Sequence, residues 1–167
     1  MVLRSRARIR GRELAFVRAV TEVQLAKGLS YRAFTARLRR IERFHVEQLS
    51  RNKFLAQEIK RRISELLLKE AILRGCSFNI CRRRMNEIRA LGFTDIEQKS
   101  MCLFFYARAA RDRGHFHIAK DTAAGMANEL DRSLRRKRSL LGKDWLKALT
   151  SLLSELDASH EKRTAES

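Results

Sequence analysis

Apolar positions recur at helical spacing along most of the chain. From Glu13 to Lys27, Leu14, Val17, Val20 and Val23 fall every three residues with Phe16 beside them, which predicts one face of a helix. Gly28 ends that helix and Ser30 is placed to cap the next. The second helix sets Tyr31, Phe34, Leu38, Ile41 and His45 on one stripe. Apolar spacing then continues through Leu49, Leu55, Ile59, Ile63 and Leu66 to Leu73, either as one long helix or as two meeting near Ser50, Arg51 and Asn52. Gly75 breaks the pattern, and Ser77 can cap a short helix to Leu91. Gly92 is a helix stop, and Thr94 with Glu97 has the spacing of a capping box. The segment Met101 to Ala107 is apolar nearly all round, so its helix is expected to be central. Gly114 stops it. A further helix runs from about Phe116 to Leu134, and a last one from near Asp144 presents Trp145, Leu149, Leu152 and Leu156.

These stripes repeat. Gly28-Leu29-Ser30-Tyr31-Arg32-Ala33-Phe34 aligns with Gly75-Cys76-Ser77-Phe78-Asn79-Ile80-Cys81, so that glycine, serine and the aromatic coincide. Further on, Arg37-Leu38 falls on Arg84-Met85, Ile41 on Ile88 and Phe44 on Leu91. A third copy starts at Gly114, one residue shorter before its aromatic, Phe116, and continues with Ala119, Ala123, Met126 and Leu130. Each copy is an aromatic with stripe positions three, seven and ten residues later, preceded by a helix that ends at the glycine. Glycine permits the left-handed conformation at a helix end, and the aromatic is expected to anchor the second helix on the first.

The third copy resembles a tetratricopeptide repeat. Ala107, Ala110, Gly114, Phe116, Ala119, Ala123 and Met126 fall where that family places its small and apolar residues, over about residues 100–130. The first two copies lack small residues at several of those places, no copy has the closing proline, and the glycine spacings of 47 and 39 residues exceed the family's period. The resemblance implies a groove for a peptide or protein partner, without catalysis. The expected fold is all-α: about three antiparallel helix-turn-helix hairpins plus a C-terminal capping helix. Residues 1–12 are expected as a flexible basic arm, 13–157 as one helical-repeat domain with a sub-boundary near 92–94, and 158–167 as a disordered tail.

Composition supports helices. The chain has 167 residues, no proline and 7 glycines, too few turn formers for a β-rich protein of this length. No apolar run is long enough to span a bilayer. The N-terminal residues lack a secretory signal's apolar block, although an Arg-rich, acid-free start is also compatible with a mitochondrial presequence. Three cysteines, Cys76, Cys81 and Cys102, make no paired framework, which points to the cytoplasm or another reducing compartment. Their spacing is wrong for zinc, so no metal and no cofactor are expected. No Ser-His-Asp set, phosphate loop or close carboxylate pair stands out, and His45 on an apolar stripe reads as a core residue rather than a base. An enzyme is therefore not expected.

The charge changes the picture most. With 37 Lys and Arg against 19 Asp and Glu, the net charge is +18. Such an excess is tolerated best beside a polyanion, and arginine favours forked contacts to phosphate or carboxylate. Candidate contacts are the arm residues Arg4, Arg6, Arg8, Arg10 and Arg12; Arg32, Arg39 and Arg43 along the second helix; the run Arg82, Arg83 and Arg84; and the run Arg135, Arg136, Lys137 and Arg138. Lys27 to Phe34 also resembles the opening of a DNA-binding helix-turn-helix, but the helix runs on where that family turns into its recognition helix. Most aromatics lie on core stripes, which argues against a base-stacking platform. The expected partner is RNA or DNA held through phosphates; the alternative is a tetratricopeptide-like adaptor or chaperone for an acidic protein, and plain solvated faces are the bland reading of the same runs.

Overall fold

The computed structural model describes the backbone of residues 2–49, 52–136 and 140–165, and the side chains of 11–49, 52–135 and 141–158. Among the described residues there are seven helices and no strand: α1 (Val2–Leu25), α2 (Tyr31–Gln48), α3 (Lys53–Leu73), α4 (Phe78–Leu91), α5 (Ile96–Arg111), α6 (Phe116–Arg136) and α7 (Leu140–Ala165). The architecture is all-α, a succession of helix-turn-helix repeats closed by a C-terminal helix. Gly28, Gly75 and Gly114 have φ of 75°, 64° and 79°, a region open to glycine without steric cost, and each leads from one helix into the next. The long apolar stretch is two helices. Asn52 caps α3, its Oδ1 accepting from Leu55 N at 3.1 Å, while its own N–H closes a turn onto Leu49 O.

The aromatics Tyr31, Phe78 and Phe116 are the first residues of α2, α4 and α6, and none of the three is exposed. Behind them the stripe positions three and seven residues on are Phe34 and Leu38, Cys81 and Met85, and Ala119 and Ala123, all six essentially free of solvent. Two of these aromatics also tie onward along the chain. Tyr31 Oη donates to Leu67 O on α3 at 3.2 Å, and Phe78 stacks on Tyr106 of α5, ring centroids 5.3 Å apart. In both contacts the aromatic reaches forward to the following helix.

Several boundaries also differ. The chain divides into two compact units at Glu70/Ala71, within the last turn of α3, rather than near 92–94. The stretch expected as an arm belongs to α1, and α7 continues to Ala165 through the expected tail. The cap of α5 is Asp95, not Thr94: Asp95 Oδ1 accepts from Gln98 N at 2.7 Å, and Gln98 Oε1 accepts in return from the Thr94 backbone and hydroxyl, both at 2.6 Å. Ser77 holds the N-cap position of α4 without a capping bond, whereas Ser30 Oγ accepts from Ala33 N.

The first unit buries Phe16 and Val23 of α1, Phe34 and Leu38 of α2, and Ile59, Ile63 and Leu67 of α3, with Leu49 between α2 and α3. In the second unit α5 is central as expected, packing against α4, α6 and α7, while α6 also packs on α7. The small residues Ala107, Ala109, Ala110, Ala119 and Ala123 are fully buried, which lets the helices approach closely. Charged ties flank that core: Lys99 to Glu129 at 2.6 Å, Lys120 to Asp157 at 2.7 Å, and Arg111 to Glu155.

Candidate nucleic-acid interface

The basic excess is concentrated in the first unit, where residues 1–70 hold 18 Lys and Arg against 7 Asp and Glu; residues 71–167 hold 19 against 12. Its densest described surface is α2. Burying Phe34, Leu38 and His45 turns the opposite side of this helix outward, and there Arg32, Arg37, Arg40 and Arg43 are exposed. Among the described residues none of these four pairs with a carboxylate. Arg40 and Arg43 are three apart, as are Arg37 and Arg40, so their stems lie on adjoining turns. Arg39, expected on this face, is turned aside: it is half-buried and its Nη1 pairs with Glu42 Oε2 at 2.5 Å. Arg37 and Arg40, which the sequence reading passed over, take its place. Arg40 was legible, because it stands opposite the three buried stripe residues; Arg37 is open only because the neighbouring helices leave that flank uncovered.

Phe44 lies on the same open side, 56% exposed, one turn beyond Arg40 and beside Arg43. Most aromatics were expected on core stripes, with none evident for stacking; Phe44 is an exposed aromatic among the arginines. Its ring meets the buried His45 edge-on, centroids 5.2 Å apart at 89°. Burial pushes the His45 imidazole below its usual value, favouring the neutral ring.

The other candidate residues scatter. Arg82 and Arg83 are exposed on α4, Arg82 donating to Asn79 Oδ1 at 3.1 Å. Arg84 is buried, 4% exposed, and its Nη1 reaches both oxygens of Glu87 at 2.7 and 3.0 Å, so it is a structural residue. Arg135 is exposed but pairs with Asp131 at 2.8 Å. Arg12 donates to Gln48 O at 3.0 Å, capping the C-terminal end of α2. The side chains of Arg4, Arg6, Arg8, Arg10, Arg136, Lys137 and Arg138 lie outside the described residues.

Two further features bear on chemistry. A cleft of about 390 Å³ opens between α1 and α3, with Leu14, Val17, Leu55 and Ile59 on its walls and Arg12, Glu13, Glu58 and Arg62 at its rim. Glu58 serves two arginines there, Arg61 and Arg62, the latter at 3.0 Å, so the rim is close to neutral. In the second unit a shallow groove is lined by Arg89, Phe93, Lys99, Leu103, Met126 and Glu129 among others. Cys81 and Cys102 are buried, Cys76 half-buried, and all three are free thiols. Burial pushes the Cys81 thiol up, with Arg113 opposing it, which suits packing rather than nucleophilic attack. Among the described residues no three His, Cys, Asp or Glu side chains converge on a point where a metal could sit. No helix among them is long and apolar enough to cross a membrane.

The class that fold and surface define is an all-α helical-hairpin protein with an arginine-rich helix face. No family model, curated protein or solved structure matches the chain.

Proposed function

We propose that this chain is a non-catalytic binder of polyanions, RNA or DNA, that acts through arginine–phosphate contacts. The observation that carries the reading is the outward face of α2, where Arg32, Arg37, Arg40 and Arg43 are exposed with no carboxylate partner among the described residues. Arginines left unneutralised by the fold repel one another until an anion arrives, and phosphate accepts their forked donors. Arg82 and Arg83 of α4 add a second, smaller patch. Phosphate tracking of this kind is weakly selective for sequence and steeply dependent on salt. The test is a salt titration of affinity for the whole chain and for a variant with all four α2 arginines changed to Gln. Counterion release gives a slope of about 0.7–0.9 per phosphate neutralised. The variant is expected to flatten the slope by about three units; an unchanged slope removes α2 from the interface.

A second reading is favoured by the groove in the second unit. Its wall carries Phe93, Leu103 and Met126, and Asp121 and Glu129 balance Arg89 and Lys99 in the lining. Arg89 nevertheless makes no ion pair among the described residues and is open to an acidic group of a peptide, the kind of partner groove that the tetratricopeptide resemblance of α5 and α6 implies. Tight binding of acidic peptides beside absent binding to nucleic acid at low salt decides for this adaptor reading.

A further inference from the structure

Four arginines on a helix face are indifferent to whether the phosphates belong to a duplex or a single strand. Phe44 is not. Base faces in a duplex are stacked on one another and cannot reach a protein ring, whereas unpaired bases can splay out and stack on aromatic side chains. A ring useful for this must be exposed and flanked by phosphate-binding cations. Phe44 is more than half exposed, one edge of its ring rests against the buried His45, and Arg40 and Arg43 stand next to it on the helix with Arg37 a turn further back. An exposed phenylalanine has no comparable use on a face that only tracks backbone, where its apolar surface is a liability in water.

We infer that the α2 face is a single-strand site, in which an unpaired base stacks on Phe44 while Arg37, Arg40 and Arg43 hold the flanking phosphates. The inference rests on the nucleic-acid reading above and narrows it to unpaired RNA or DNA. Stacking tolerates any base, so the site selects strandedness rather than sequence.

The experiment measures affinity of the full-length chain, by fluorescence anisotropy at fixed salt, for three probes of equal length: a single strand of mixed sequence, the same sequence as a duplex, and an abasic strand that keeps phosphates and sugars. Variants are Phe44→Leu, Phe44→Tyr and Arg40→Gln, each with a thermal melt to confirm folding. Stacking of one base contributes about 1–3 kcal/mol, a factor of about 5 to 150. The single strand is expected to bind tighter than the duplex and the abasic strand by a factor in that range. Phe44→Leu should erase the advantage without changing the salt slope, Phe44→Tyr should keep it, and Arg40→Gln should weaken all three probes together. Equal binding of all probes, unaffected by Phe44→Leu, overturns the stacking site and leaves the phosphate-tracking reading standing. Binding to none of them overturns both, as does a preference for polyglutamate over every strand. A Phe44→Leu chain that melts early is replaced in the comparison by Phe44→Tyr against the abasic strand; loss of the single-strand preference there also overturns the site.

Discussion

The imidazole of His45 stands edge-on to Phe16 of the preceding helix, ring centroids 5.5 Å apart and planes at 79°. His45 is 6% exposed, and burial lowers its affinity for a proton below that of the unfolded chain, whose ordinary value is 6.5. Above that value both states hold the ring neutral and the contact contributes in full. As pH falls below 6.5 the unfolded chain takes up the proton first, so stability declines until the folded-state ring is protonated as well. Denaturant midpoints between pH 8 and pH 5 should fall for the wild type, and His45→Leu should lose its own share of that fall. For one proton that share is no steeper than about 1.4 kcal/mol per pH unit. Identical pH profiles for the two proteins would remove His45 from this role.

The shared stripe makes a second expectation quantitative. Leu38 and Met85 occupy corresponding positions and are both fully buried, one in each unit. Leu38→Ala and Met85→Ala should each cost about 2–5 kcal/mol, because a cavity remains where the side chain stood. At the corresponding place in the third copy sits Ala123, also without solvent contact, and there the damage should come from enlargement. Ala123→Leu is expected to cost about 1–3 kcal/mol through forced rotamers and backbone shifts. Chemical denaturation of the three variants checks both directions.

Ser64 offers a gain. Its hydroxyl is buried in α3, 1% exposed, and meets no hydrogen-bond partner among the described residues. Ser64→Ala removes an unsatisfied polar group and improves helix propensity, so stability should rise by about 0.5–1.5 kcal/mol. A melting temperature that drops instead would mean the hydroxyl is satisfied in solution.

Neighbouring arginines should separate folding from binding. Arg83 is open to solvent, and Arg84 is enclosed and doubly bonded to Glu87. Arg84→Gln should lower stability by about 1–3 kcal/mol, since it leaves the Glu87 carboxylate short of its partner. Arg83→Gln should leave stability within about 0.5 kcal/mol while weakening binding at low salt. Paired melts and binding isotherms distinguish the two.

The periodic part of this architecture was legible from the start. Phe34, Leu38, Met85 and Leu130 announce their burial by spacing alone, because a helix presents every third or fourth residue to one side. The glycine and aromatic of each copy likewise mark real helix ends. What spacing does not encode is which flank of a helix its neighbours leave bare. Arg39 was expected on the open face and Arg40 was not, yet Glu42 pairs with the first, and among the described residues no carboxylate pairs with the second. Phe44 entered the sequence comparison only as the partner of Leu91, and its exposure is set by the placement of the surrounding helices. The cap of α5 was missed by one residue because Thr94 and Asp95 both suit the role, and Gln98, not Glu97, completes it.

The buried cluster of the first unit is built from residues between Phe16 and Leu67. During synthesis, therefore, every side chain of that core has been added before the first residue of α4, and the segments that must meet are close in sequence. Nearby partners close small loops and fold quickly, and domains made first generally fold first. The arginines on the outer side of α2 lie within that same early stretch, ahead of every residue of the second unit.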